Sequence, residues 1–380
     1  MRLYLPACLA ASFLVAACAS SSPQAPAGLV AREHRVNVVS SAPGLAGQQA
    51  QLYLREVAPA AAAERGARPV VLFVHGAGTP AEVSFDSRRA DYSWLDAVAR
   101  AGFDTFAVDM TGYGRSSRPP AMNDACNLAR QQQARFVPGV IPAACEPSQA
   151  TAITTMDSDW KDIDAAVDFV RALRGVERVS LVGWSQGGPR IAGYTARHPE
   201  KVERIAVLAP AYTRDSALSA PASLPRIDGA LTVQSRTDFI ANWDRQVGCP
   251  GQYDAAVAKD IFDEMLESDP VGARWAPGVR RAPSVPTWGF NRETVAGERI
   301  PFLMITGEHD KQVDPRRVRE LYEDWGGDNK VLIDLACSSH NAMWERNRQL
   351  LFQATIDWLR DGKVNGTSRG VLRMGYSEAR

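Results

Sequence analysis

Val179-Ser180-Leu181-Val182-Gly183-Trp184-Ser185-Gln186-Gly187-Gly188 decides how this chain folds. A mostly apolar strand signal runs straight into Gly-x-Ser-x-Gly, and a helix-compatible segment follows. A serine hydroxyl is a weak nucleophile until a sharp turn presents it and a base takes its proton. On a strand-to-helix turn of this kind the serine occupies a strained elbow, flanked by glycines because side chains there would collide. The N–H of Gln186 then lies at a helix N-terminus, where it can meet a developing oxyanion. Ser185 is the expected nucleophile.

Working outward, strand and helix signals alternate from about Pro69 onward. Val70 to Val74 is a β-branched run ending in His75-Gly76, a helical stretch at Trp94 to Ala101 stops at Gly102, and Phe103 to Val108 is the next strand. Helical periodicity covers Trp160 to Leu173, with Ile163, Val167 and Val170 on one face. Arg178 to Val182 is a strand, Gly187 to Arg197 a helix, and Arg204 to Leu208 a strand. Phe302 to Thr306 and Lys330 to Leu335 read as strands, each followed by a helix, Pro315 to Trp325 and Met343 to Leu359. This alternation predicts an α/β fold, a mostly parallel sheet with helices on both faces. His34 to Val39 and Gln49 to Val57 predict an antiparallel hairpin at one sheet edge.

Two stretches break the rhythm. Arg118 to Thr155 is rich in Pro, Gln and Ala, and Ala211 to Glu298 carries Trp243, Trp275 and Trp288 among many prolines. Segments this long inside a regular α/β alternation are not plain loops. The second should cover the carboxyl edge of the sheet, where α/β proteins bind ligands, and is read as a cap. The expected division is a signal at 1–18, a tether at 19–33 and a core at 34–210 and 299–362 with an insertion at 118–155. The cap then occupies 211–298 and a tail 363–380.

In the order of these signals the chain resembles the α/β-hydrolase family from about Val70 to Leu359, the two insertions excepted. The residues that carry the resemblance are His75-Gly76-Ala77-Gly78, Asp109-Met110-Thr111-Gly112-Tyr113-Gly114-Arg115-Ser116, the Ser185 elbow, Gly307-Glu308-His309-Asp310 and Ser339-His340. The family places nucleophile, acid and histidine in that chain order. The resemblance implies an α/β-hydrolase fold with a cap insertion, and Ala77 and Gln186 N–H as oxyanion donors. Of five histidines, His34 and His198 read as structural, His75 shapes the oxyanion loop, and His309 packs or points outward. His340 follows the last strand at the edge that bears Ser185, and is the expected base. Asp310 is the expected acid. Its rival Asp314 precedes Pro315 and reads as a helix N-cap, and Glu308 is a third candidate.

Lys plus Arg and Asp plus Glu number 43 each, so no net field points to nucleic acid, and Arg280-Arg281 and Arg316-Arg317 read as solvated faces. Arg2 precedes an apolar run from Leu3 to Ala17, an export signal too short to span a bilayer. Val15-Ala16-Ala17-Cys18 resembles the lipobox of bacterial lipoproteins, which implies lipidation at Cys18 and a lipid anchor in the cell envelope, through the outer membrane. The alternative is cleavage after Ala19, giving a soluble periplasmic or secreted form. Export leaves Cys126, Cys145, Cys249 and Cys337 in an oxidising compartment, an even count that predicts disulfides. Cys126–Cys145 closes a short loop, and Cys249–Cys337 follows by elimination.

No cofactor or metal is expected: no Cys/His clustering is visible, and Asp157, Asp159, Asp162 and Asp164 lack the EF-hand pattern and read as helix-dipole partners. Lone Gly-x-Gly pairs at Gly76 and Gly112 do not suggest a dinucleotide site. Trp184 and Tyr212 are candidate linings of an acyl pocket, and the cap's aromatics suggest a medium-sized, partly apolar substrate. The expected activity is a serine hydrolase acting on a small-molecule carboxylic ester through an acyl-enzyme. Lactonase, amidase and carbon–carbon hydrolase activities on the same triad are alternatives. A non-catalytic binding module tethered at the surface is the non-enzyme alternative. Serine at 185 excludes the aspartate-nucleophile chemistry of dehalogenases and epoxide hydrolases.

Overall fold

Every residue of Val70–Val74, Asp104–Asp109, Val179–Trp184 and Phe302–Gly307 is buried. Strands buried on both faces belong to a parallel sheet layered between helices. The computed structural model describes residues 28–60, 66, 68–275, 278–282 and 288–376. The signal, Cys18 and the tether through residue 27 lie outside them.

In chain order the strands are β1 (Leu29–Val39), β2 (Gln49–Pro59), β3 (Val70–Val74), β4 (Asp104–Asp109), β5 (Val179–Trp184) and β6 (Val202–Leu208). They continue with β7 (Thr232–Ser235), β8 (Gly278–Arg281), β9 (Phe302–Gly307), β10 (Lys330–Leu335) and β11 (Arg369–Met374). Nine form one sheet in the order β1-β2-β4-β3-β5-β6-β9-β10-β11, while β7 and β8 pair separately. β1–β2 and β2–β4 are antiparallel and the remaining pairs of the large sheet are parallel.

The first helices are α1 (Ala81–Phe85), α2 (Trp94–Arg100), α3 (Arg130–Gln133), α4 (Met156–Arg174) and α5 (Gly187–Thr195). They are followed by α6 (Arg236–Asp244), α7 (Ala255–Ser268), α8 (Arg292–Ala296), α9 (Pro315–Asp324) and α10 (Arg348–Asp361). Alternate strand residues feed two cores. Val71, Phe73, Leu303 and Ile305 pack with Trp94 of α2 and Phe352 and Trp358 of α10. Val70, Leu72, Phe302 and Met304 pack with Ile163 and Val167 of α4, Ile191 of α5 and Leu321 of α9. The period of two along each strand thus sorts side chains between faces.

Several boundaries differ from the sequence reading. α4 starts at Met156, ahead of its apolar periodicity, because Thr155 and Ser158 form a reciprocal capping box; it stops at Gly175, where φ is 68°. β1 begins at Leu29, inside the range expected as tether, since its pairing with β2 runs on to Leu29↔Pro59. The expected tail contains β11, a half-exposed edge strand parallel to β10, too polar to show as an apolar run. The closing helix begins at Arg348; Ala342–Trp344 before it is a 3-10 turn.

The insertion and the cap are one lid. Ala125, Leu128, Phe136 and Ile141 share a core with Leu231, Val233 and Trp275, and the Gln132 side chain bonds both the N–H and C=O of Val233. Trp288, Phe290 and Val295, in the last part of the range expected as cap, pack with Tyr212 and Trp325 in the second core.

Candidate active site

The parallel strands all end at one edge, and the candidate residues occupy the loops there. Ser185 follows β5 with φ 57°, the left-handed region that side chains avoid. Its N–H donates to Leu208 O at 2.8 Å, and its carbonyl accepts from Gly188 N at 2.8 Å and Ala211 N at 3.1 Å. The elbow leaves no room around it: a Cβ on Gly187 would sit 2.5 Å from Val74 O, and one on Gly76 would sit 2.9 Å from Ser185 Cβ.

Asp310 follows β9 and His340 follows β10. His340 Nδ1 lies 2.8 Å from Asp310 Oδ2, and both side chains are buried. Asp310 Oδ1 accepts from the N–H of Gln312 and of Val313, each at 2.8 Å, so the carboxylate is fixed before it meets the imidazole. Asp314 instead caps α9, accepting from Arg316 N at 2.9 Å. Glu308 accepts from Arg373 at 2.8 Å and from Cys337 N at 3.0 Å, and makes no hydrogen bond to His340.

His75 is buried and neutral: desolvation, then the charge of Arg190, holds its imidazole well below the ordinary histidine range. Its Nε2 accepts from Met110 N at 3.1 Å, so Nδ1 carries the proton and donates to Gly76 O at 2.7 Å. Arg190, paired with buried Asp159 at 2.7 Å, donates to the carbonyls of His75 at 2.8 Å and Gly76 at 3.0 Å. Arg281 donates to the carbonyl of Ala77 at 2.9 Å. With three successive carbonyls claimed by guanidinium groups, the loop's orientation is set. Among the described residues no acceptor takes the N–H of Ala77 or of Gln186.

Ala77, Gln186, Ser185 and His340 line one cavity of about 220 Å³ beneath the lid. Trp184 also lines it, and its indole donates to His340 O at 2.8 Å. Tyr212 does not. Its hydroxyl donates to Asp324 at 2.8 Å, and its ring packs on Phe290. The lid tryptophans are spent on packing: Trp243 stacks on Tyr253 and touches Trp344, and the cavity takes Gln234, Asn242, Arg281, Gln312 and Asn341 instead. Phe239 and Val313 line it beside these polar groups, so the lining is mixed and only partly apolar.

The sequence reading passed over several residues here. Arg280-Arg281 is no solvated face: Arg280 is 2% exposed and pairs with Asp269 at 2.7 Å, and Arg281 lines the cavity. Asp159 and Asp162 are buried rather than helix-dipole partners at the surface; Asp162 accepts from Thr111 N at 3.0 Å. Gln246 and Glu345, both buried, secure the histidine loop: Gln246 Oε1 accepts from Lys311 N at 3.2 Å and His340 N at 3.4 Å. Glu345 accepts from Ser339 N at 2.7 Å, Trp243 Nε1 at 2.8 Å and Gln252 Nε2 at 3.1 Å. No spacing rule picks out such residues; a Gly-x-Ser-x-Gly has one, a distant glutamine does not.

Cys126 is joined to Cys145 and Cys249 to Cys337, with S–S distances of 2.06 and 2.00 Å. Cys249, Cys337 and His309 place their ligand atoms within 4.8 Å of one another, a clustering that sequence spacing hides. The disulfide engages both sulfurs of that group. No helix among the described residues is long and apolar enough to cross a membrane.

The model of a family described as alpha/beta hydrolase fold matches residues 69–347. An uncharacterized carboxylesterase, nap, of Bacillus subtilis (strain 168) is 28% identical over 145 residues, 37% of this chain and 44% of the relative. The human serine hydrolase BPHL is 25% identical over 154 residues, 40% of this chain and 45% of the relative. The chain thus spans a little under half the length of these curated relatives. Among solved structures, a serine hydrolase involved in carbazole degradation (CarC enzyme) superposes with a TM-score of 0.51 at 17% identity. That match covers 87% of this chain and 99% of the other, and the likeness is one of fold.

Proposed function

The chain belongs to the alpha/beta-hydrolase family, and on that premise we propose that it is a serine hydrolase cleaving small carboxylic esters through an acyl-enzyme. Ser185 attacks the ester carbonyl while His340 takes its proton. Asp310 holds the imidazole in the tautomer whose Nε2 is free to accept, and stabilises the imidazolium that forms. The N–H groups of Ala77 and Gln186 receive the oxyanion, each worth about 3 kcal/mol of transition-state stabilisation. His340 then protonates the leaving alcohol, and water, deprotonated by the same imidazole, releases the acid and restores Ser185. The carbonyls behind the oxyanion loop stay locked on Arg190 and Arg281, so the donors need no reorganisation.

The observation that carries this reading is the 2.8 Å Asp310–His340 hydrogen bond, with His340 lining the same cavity as the strained Ser185. Similarity to a carboxylesterase and a serine hydrolase supports it. The test is a fluorophosphonate probe with peptide mapping, beside turnover of graded esters, one lactone and one amide. Ser185 should be labelled, and Ser185→Ala should lose labelling and turnover while keeping its unfolding temperature. Label on another serine would overturn the assignment.

We further propose that the enzyme is held at the bacterial envelope by acyl chains on Cys18. One acyl chain binds a membrane only marginally, so stable attachment needs more than one.

A further inference from the structure

β8 carries two adjacent arginines with opposite circumstances. Arg280 is neutralised: its guanidinium and N–H make several bonds to Asp269, at 2.7 to 3.1 Å, and Nη1 donates to Met122 O at 2.8 Å. Arg281 points the other way, into the cavity that holds Ser185 and His340. No carboxylate among the described residues pairs with it; its one hydrogen bond is from Nη2 to Ala77 O at 2.9 Å. Its guanidinium is desolvated, which lowers its pKa.

That placement is built. Gly78 has φ +100°, and a Cβ there would lie 2.0 Å from Arg281 Nε and 2.3 Å from Cζ, so the guanidinium rests on a bare glycine of the oxyanion loop. Among the described residues Nη1 and Nε take no hydrogen-bond partner. Arg281 is partly exposed in the cavity, and holding a desolvated cation there without a counter-ion is costly, a cost that an anionic ligand would offset. Apart from Ser185 and His340, the other polar lining residues, Thr79, Gln186, Gln234, Asn242, Gln312 and Asn341, carry no charge. One permanent positive charge with a planar donor edge matches one carboxylate, whereas a phosphate dianion would call for a second cation.

We propose that Arg281 is the specificity residue of this site and binds a carboxylate carried by the substrate a few bonds from the scissile carbonyl. The substrate class is then a small, anionic ester. The cavity volume of about 220 Å³ agrees, lying below the ~300–1,000 Å³ of sites for drug-sized ligands. The proposal rests on the serine-hydrolase reading for turnover but not for binding.

The test compares charged and neutral esters of matched length. Monomethyl glutarate against methyl pentanoate places the charge on the acid side; O-acetyl-lactate against ethyl acetate places it on the alcohol side. The wild type should favour the charged member of one pair by about tenfold or more in kcat/KM, the range of a hydrogen bond to a charged group. In Arg281→Gln that ratio should fall to near one, and in Arg281→Lys it should keep part of its size. Because Arg281 also holds Ala77, the ratio between esters is the readout, and unfolding temperatures of both variants verify the fold. Calorimetry of monomethyl glutarate and O-acetyl-lactate with Ser185→Ala, and with Ser185→Ala/Arg281→Gln, measures binding without turnover. Binding that needs Arg281 without hydrolysis in the wild type would keep the anion site and overturn the serine-hydrolase reading. Hydrolysis of the neutral esters with no preference for charge in either pair would overturn the role of Arg281 and leave the hydrolase standing.

Discussion

Replacing Asp310 by asparagine separates the orientation of the imidazole from every other feature of the site. Asp310 Oδ1 is held by two backbone donors at 2.8 Å, while Oδ2 faces His340 Nδ1 at 2.8 Å. An asparagine keeps its carbonyl oxygen on the two donors, which turns its NH₂ toward His340. A hydrogen aimed at Nδ1 makes that nitrogen the acceptor and leaves the proton on Nε2, which can no longer take the proton of Ser185. The geometry survives and the tautomer is reversed. In a serine protease triad the same exchange costs ~10⁴ in kcat, which corresponds to about 5.4 kcal/mol at 1.36 kcal/mol per decade. Steady-state hydrolysis of a chromogenic ester, with thermal unfolding alongside, reads the effect. Asp314→Asn is the control: it weakens the cap of α9, costs about 1 kcal/mol of stability and leaves kcat nearly unchanged. A loss of less than about tenfold in kcat for Asp310→Asn, set against the ~10⁴ expected, or a larger loss for Asp314→Asn, would refute the reasoning.

Three further outcomes are expected. Desolvation pushes Asp162 up to about 7, whereas the unfolded chain titrates near ~3.9. The folded protein then holds a proton the unfolded chain has released, so this stabilisation is complete below about pH 4 and is lost as pH rises through about 7. Asp162→Asn should flatten the fall in Tm between about pH 4 and 7, across that window; an unchanged slope counts against it. Non-reducing peptide mapping should recover Cys126 with Cys145 and Cys249 with Cys337. Replacing Cys249 and Cys337 by alanine opens a loop of separation 88, for which chain entropy predicts a loss of about 4–5 kcal/mol; stability equal to wild type would contradict it. Cys18→Ser should abolish palmitate incorporation and change fractionation, and wild-type protein whose mature chain begins at Ser20 without label would remove the anchor.

Much of the sheet was legible because its signals are local. Val70–Val74 and Phe302–Gly307 are buried throughout, so their composition alone marks them as interior strands. The elbow was legible because backbone geometry demands glycine at fixed offsets, as the 2.5 Å gap between a Gly187 Cβ and Val74 O makes plain. β11 was not, since a half-exposed edge strand has no apolar run to announce it. Arg280 and Arg281 were misread for a related reason: a charge pair looks the same in sequence whether Asp269 or solvent faces it, and Asp269 lies 11 positions away.

The lid shows why the polar half of the site lay beyond the sequence. Gln246 comes from the lid, yet its Oε1 receives the N–H of both Lys311 and His340, one next to Asp310 and the other on the histidine itself. Glu345, whose carboxyl is raised by desolvation, gathers Trp243 and Gln252 from the lid with Ser339 from the histidine loop. Cys249 ties the lid to Cys337, three positions before His340. A segment joined to the His340 loop by a disulfide, a shared amide and a buried carboxylate holds that loop in place as well as covering the cavity. The same lid presents Arg281 through β8. Under the proposed mechanism substrate choice and imidazole placement both depend on this one folded unit, and a lid substitution that shifts Gln246 should change kcat even where no lining residue is touched.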